Sequence, residues 1–196
     1  INLYKESYLK GFAHFYGNIE EYTVLALLPN YLERKGSSLV FMVDDLIRKS
    51  KNSESGFYLD NIKELAKKLT ELDKKGQKTL LIGVSFALLD LIESQQFSLK
   101  NTIIMETGGM KGRRKELIRD ELHSTLKTGF GVSDIHSEYG MTELLSQGYS
   151  KGKGVFKTPP WMKILTRDTE DALTIQTLGK TGGINVIDLA NYNSCS

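Results

Sequence analysis

The run Tyr139-Gly140-Met141-Thr142-Glu143 puts a flat ring, a flexible backbone, a hydroxyl and a carboxylate within five positions. Those residue types suit a bound nucleotide. A tyrosine ring stacks on an aromatic base, a contact worth roughly 1–3 kcal/mol per base. Gly140 permits a turn, and Thr142 offers a hydroxyl to a phosphate oxygen. Glu143 offers a hard oxygen to Mg²⁺, which takes one or two carboxylates beside substrate phosphates. The same residues also describe a strand end running into a helix start. Thr142 would then be the cap, and the helix dipole would favour Glu143. Taken alone, the five residues favour neither reading.

Two further segments carry chemistry. Gly108-Gly109 follows an apolar run, where the absence of Cβ atoms lets a flat ligand lie against the backbone, or simply allows a tight turn. Gly83-Val84-Ser85-Phe86-Ala87 approaches the Gly-x-Ser-x-Gly nucleophile elbow, with Ala87 in place of the last glycine. Asp120 or Asp134 followed by His136 would complete a triad in chain order. A serine hydrolase or thioesterase acting through Ser85 is therefore an alternative, against the simpler reading of Ser85 as a helix cap. Gly179-Lys180-Thr181 resembles the end of a phosphate loop, but Thr174 stands where that motif needs a glycine. The basic cluster Lys111, Arg113, Arg114 and Lys115 reads as a solvated helix face, with Lys111 nearest to a bound phosphate. His136 reads as a core residue, and Trp161, after two prolines, as a pin between two parts of the chain.

The elements that must position these residues follow from periodicity. Strands are expected at 23–29, 55–59, 78–84, 101–107 and 132–140. Helices are expected at 3–16, 37–50, 60–76, 86–94 and 113–128. In the helix at 60–76, Asp60 is the expected cap, and Ile62, Leu65, Leu69 and Leu72 line one face. Segment 147–154 reads as a polar loop. After Lys157, segments 161–168, 172–179 and 183–190 alternate apolar and polar residues as antiparallel strands do. The fold class is therefore α/β: a mostly parallel sheet with helices on both faces, followed by a short antiparallel β meander. Residues 1–157 form the expected nucleotide- and acyl-binding part, with the meander of 158–196 packed on it. In an open parallel sheet ligands sit beyond the carboxyl ends of the strands. Gly83–Ser85, Thr107–Gly109 and Glu138–Glu143 all occupy such ends.

Composition narrows the classes. Among 196 residues, 26 basic side chains balance 24 acidic ones to a net charge of +2. That charge speaks for no nucleic-acid partner. No apolar run is long enough to span a membrane. The single cysteine, Cys195, excludes an internal disulfide and fits a reducing, cytoplasmic compartment. His14, His123 and His136 are too scattered for a metal site.

"YGMTE" resembles the Tyr-Gly-x-Thr-Glu motif of the adenylate-forming superfamily of acyl-CoA ligases, luciferases and peptide-synthetase adenylation domains. "ETGGMKGRRKE" resembles that superfamily's glycine pair before a helix. With "YLKGFAHFYG", "LALLPNYLERKGSSLVFMVDDLI", "METGGMKGRR" and "GKTGGINVIDLANYNSCS", the pattern is similar to the acyl-protein synthetases, the fatty-acid activating component of bacterial bioluminescence and its relatives. The resemblance implies ATP-dependent conversion of a fatty or other carboxylic acid to an acyl-adenylate. The acyl group then passes to a thiol, on a protein cysteine or coenzyme A, and an acyl-CoA reductase is the partner this implies. It implies Tyr139 on the adenine, Gly108, Gly109, Met110 and Gly140 along the base, Thr142 at phosphate, Glu143 on Mg²⁺, and Ser85 with Phe86 at the acyl pocket. The superfamily's Ser/Thr/Gly-rich phosphate loop and its C-terminal domain with a catalytic lysine have no counterpart in this sequence. The chain thus reads as a piece of a longer protein, and alone it is expected not to adenylate. A relative that binds nucleotide or a partner without catalysis is the remaining alternative.

Overall fold

A computed structural model describes residues 2–28, 36–59, 61–108 and 117–192. Parallel strands β1 (Thr23–Leu27), β2 (Gly56–Phe57), β3 (Thr79–Gly83), β4 (Thr102–Glu106) and β5 (His136–Tyr139) build the sheet. Two short strands, β6 (Gly148–Ser150) and β7 (Phe156–Lys157), extend it in antiparallel fashion, giving the order β2-β1-β3-β4-β5-β6-β7. Every residue of β1 and β3 is buried. That is the signature of strands covered on both faces, and it explains their unbroken apolar runs.

The covering helices fall in two groups. Helix α1 (Asn2–Tyr16) packs on α2 (Ser38–Ser50), while α3 (Ile62–Lys74) meets α4 (Ser85–Ser94), which meets α5 (Arg119–Phe130). Ser37 caps α2 through its hydroxyl, which accepts from Val40 N. Leu65, Leu69 and Leu72 of α3 are buried as their spacing requires. Among the described residues no helix is long and apolar enough to cross a membrane.

Several boundaries differ from expectation. Asn61 caps α3, accepting from Glu64 N, while Asp60 lies outside the described residues. Ser85 is the first residue of α4 rather than its cap. Val84 holds the cap position without a side-chain bond, because the Ser85 hydroxyl turns inward to Glu106. Helix α5 begins at Arg119: Ile118 is extended, with φ −65° and ψ 154°, and 113–116 lie outside the described residues. Only residues 136–139 of the expected strand 132–140 are in the ladder, since β4 offers partners to His136 and Ser137 alone.

Segment 147–154 contains a buried strand where a polar loop was expected. Tyr149 drives it, packing its ring 5.2 Å from Phe15 and 5.4 Å from Tyr16. After Lys157 the chain forms a separate two-stranded sheet of β8 (Met162–Arg167) and β9 (Gly183–Asp188). The expected middle strand contributes one isolated bridge, Arg167 to Ile175.

Buried polar contacts join this ribbon to the rest. Trp161 Nε1 donates to Ser146 Oγ at 2.9 Å and to Ser7 Oγ at 3.3 Å. Asp188, which is buried, accepts from Ser146 Oγ at 2.7 Å, Ser146 N at 2.9 Å, Ala190 N at 3.0 Å and Leu145 N at 3.2 Å. Asp188→Ala leaves Ser146 N and Ala190 N without their acceptor, and an unmet buried donor costs more than a made bond returns. The variant is expected to lose about 2 kcal/mol of unfolding free energy, read from urea denaturation. An unchanged midpoint would contradict that role.

Candidate functional site

Parallel register aligns Gly83 with Glu106 and Glu106 with Ser137. The three strand ends therefore share one rim, as the sequence suggested. Beyond it opens a cleft of about 440 Å³, lined by Thr107, Gly108, Tyr139, Gly140, Met141 and Thr142 together with Tyr4, Ser38, Glu106, Arg119, Glu138 and Phe156, among others. Gly108 sits at φ +77°, a conformation that glycine adopts freely, and a Cβ there would meet nothing within 4 Å. The backbone thus presents an open face to the cleft. Tyr139 is 52% exposed, with its ring edge-on to Phe156 at 6.1 Å. The Arg119 guanidinium lies 5.0 Å from the centre of that Phe156 ring. These planar groups form one side of the cleft.

Side chains alternate along β5, so Ser137 and Tyr139 share a face and Glu138 takes the other. On the Ser137 face Arg119 Nη1 donates to Ser137 Oγ at 3.1 Å and to Glu106 Oε1 at 3.4 Å. Glu106 Oε2 accepts from Gly108 N at 2.7 Å and from Ser85 Oγ at 3.4 Å. His123 Nε2 stands 3.5 Å from Glu106 Oε1, within ion-pair reach but without a hydrogen bond. Burial opposes ionisation of Glu106. The neighbouring His123, Ser137, Gly108 amide and Arg119 outweigh it and hold its carboxyl below the usual range.

Glu138 is the opposite case. It is 8% exposed and pairs in register with Tyr149, toward Tyr16 and Phe15 of α1. Its carboxyl has no hydrogen-bond partner among the described residues. Burial, and then the charge of Glu106, push its pKa up to about 8.

The other residues singled out from sequence stand as follows. Gly109, Met110, Lys111 and Cys195 lie outside the described residues. Glu143 is exposed and is not among the residues lining the cleft, while its carbonyl accepts from Asn191 Nδ2 at 2.6 Å. Ser85 and Phe86 are buried in α4, behind the cleft wall. Ser85 Oγ is turned to Glu106. His136 Nδ1 is 3.2 Å from the Tyr16 hydroxyl, and burial lowers its pKa. Neither group supplies the other with a nucleophile–base hydrogen bond. Among the described residues no group of three or more His, Cys, Asp or Glu side chains is arranged to hold a metal.

Sequence reasoning missed Tyr4, Ser38, Glu106, Arg119 and Phe156, and gave Glu138 no role. The available signal was a glutamate near the end of each of two expected strands, in "TIIME" and "DIHSE". A charge at the end of a buried run needs a partner or a ligand.

No family model and no curated protein matches the chain. Solved structures do. ATP-bound MatB from Rhodopseudomonas palustris superposes with a TM-score of 0.65 at 16% identity, over 95% of this chain and 35% of that one. An ATP-bound RpMatB-BxBclM chimera gives 0.64 at 14% identity, with the same coverage of both chains. Coronafacic acid ligase from Pectobacterium brasiliense gives 0.56 at 16% identity, over 87% of this chain and 32% of its own. The chain thus shares the fold of part of these enzymes and spans about a third of their length.

Proposed function

We propose that this chain supplies one wall of a site that activates a carboxylic acid with ATP, as an acyl-adenylate, for transfer to a thiol. The observation that carries the reading is the cleft itself. Open backbone at Gly108, the exposed Tyr139 ring and the Thr142 hydroxyl converge at the carboxyl ends of β4 and β5. An aromatic platform beside bare backbone suits a base, and a hydroxyl beyond it suits a phosphate. The fold shared with structures solved with ATP bound, and with a ligase of an organic acid, supports the same reading.

Tyr139 stacks on the adenine, Gly108 and Gly140 let it approach, and Thr142 donates to phosphate. Gly109 and Met110 continue the adenine wall, and Ser85 with Phe86 back the acyl side. Glu143 holds Mg²⁺. A cation bound mainly through substrate phosphates needs only one protein carboxylate, so a single exposed glutamate beside the cleft fits. When bound, the ion neutralises phosphate charge. The protein's own contribution is orientation and fixed hydrogen-bond donors. The resemblance to acyl-protein synthetases favours a fatty or other carboxylic acid, a protein cysteine or coenzyme A as acceptor, a reductase partner and a cytoplasmic setting.

Calorimetry of the protein with a non-hydrolysable acyl-adenylate analogue tests the assignment. Tyr139→Ala is expected to weaken binding by about 1–3 kcal/mol, roughly five- to 150-fold. With a non-hydrolysable ATP analogue in place of the acyl-adenylate, Glu143→Ala is expected to leave metal-free affinity unchanged and to abolish its increase with Mg²⁺. If neither substitution alters binding, the site lies elsewhere.

A further inference from the structure

The cleft has two sides, and only one is accounted for by a nucleotide. On the Ser137 and Tyr139 face of β5 every buried charge has a partner: Glu106 meets Arg119, the Gly108 amide and the Ser85 hydroxyl. On the opposite face Glu138 is more than nine-tenths buried, lines the cleft, and has neither a hydrogen-bond nor an ion-pair partner among the described residues. Its surroundings are aromatic. Tyr149 is its register partner, and Tyr4 lines the same cleft. Tyr4 is committed elsewhere, its hydroxyl donating to Ser38 O at 3.0 Å. Burial, reinforced by the Glu138 charge, raises the pKa of both tyrosines, so neither supplies a charge of its own. A buried, unpartnered carboxylate in a cleft that is also lined by aromatic side chains suits an ammonium ion, by charge pairing.

We infer that the carboxylic acid accepted by this cleft carries an amino group, received as its ammonium form by the Glu138 carboxylate on the α1 side of β5. This rests on the acyl-activation reading above and adds the substrate class to it. An acid with a purely hydrocarbon tail would leave Glu138 buried beside apolar atoms with no partner. Arg119, the cation described in this cleft, is engaged by Glu106 and Ser137, so an ammonium would supply the donor and the positive charge that Glu138 itself lacks among the described residues.

The groups around Glu138 that titrate or bear charge are Glu106 from β4 with Arg119 from α5, both on the Ser137 face, and Tyr4 from α1 and Tyr149 from β6. Glu106 is ionised at neutral pH and is met by Arg119, and the tyrosines are neutral, so the ligand's cation is the charge that would balance Glu138. In the free protein Glu138 holds a proton near neutral pH. Pairing with an ammonium ionises it, so binding an amino-bearing acid releases about one proton and binding a plain acid releases none.

The test is calorimetry of the protein with ω-aminohexanoate, hexanoate and ω-hydroxyhexanoate, each with ATP present and in two buffers of different ionisation heat. The expected result is at least about tenfold tighter binding of the amino acid, with proton release, and loss of both in Glu138→Gln. Equal or tighter binding of hexanoate overturns the inference, as does equal binding of the hydroxy acid or a preference that survives in Glu138→Gln. If ATP binds and none of the acids does, the substrate class falls and the nucleotide site stands. If ATP does not bind either, both readings fall.

Discussion

Glu138→Gln is expected to make the ligand-free protein more stable than the parent at about pH 8, by roughly 4 kcal/mol, and no different near pH 4. The Glu138 carboxyl is buried and stands near the Glu106 charge, which lifts its pKa from 4.5 to about 8. Between those values the folded protein holds a proton that the unfolded chain has released. Stability therefore falls as pH rises through that window, by about 1.4 kcal/mol per pH unit, and the loss is complete once the folded group also ionises. Glutamine keeps the shape and has no charge to desolvate. Urea denaturation of both proteins from acid to mildly alkaline pH gives the difference directly, and curves that stay parallel would sink the argument. A residue that destabilises its own fold at working pH is commonly retained for what it binds.

Much of the scaffold could be read from sequence because local pattern decides it. Leu65, Leu69 and Leu72 repeat at the helical period, and the apolar runs of β1 and β3 admit only a doubly covered strand. Of the short strands, Gly56–Phe57 falls inside the strand expected at 55–59, whereas Gly148–Ser150 reads as loop because it is too brief to show a period and exists because β5 pairs with it. The start of α5 was misplaced because "RRKEL" has helical composition, whereas Ile118 is extended and the helix begins at Arg119, which reaches Glu106 and Ser137. The site divides the same way. Tyr139, Gly140 and Thr142 were legible because they are neighbours in the chain. Tyr4, Arg119 and Phe156 were not, because only sheet order and helix packing bring an N-terminal helix, α5 and β7 to the same cleft.

Glu106→Gln is expected to do the reverse of Glu138→Gln: to lower stability at neutral pH, with the loss shrinking in acid. Arg119 is 43% exposed, so its pairing with Glu106 contributes about 1 kcal/mol or less. The larger share comes from the Gly108 amide at 2.7 Å and the buried His123 beside it. With the folded pKa held below 4.5, this stabilisation is present above the unfolded value and is lost as pH falls through the folded one. The pH profiles of the two variants should therefore diverge from the parent in opposite directions. The two carboxyls are also coupled. The Glu106 charge is the second cause of the raised Glu138 pKa, so removing it should lower that pKa. Glu138→Gln should then gain less in the Glu106→Gln background than alone, by an amount a double-mutant cycle reads directly. Strict additivity would mean that the two groups do not share one electrostatic site. Neighbouring carboxyls driven apart, one ionised and structural, the other neutral and unpartnered, mark where this cleft has a charge still to be met.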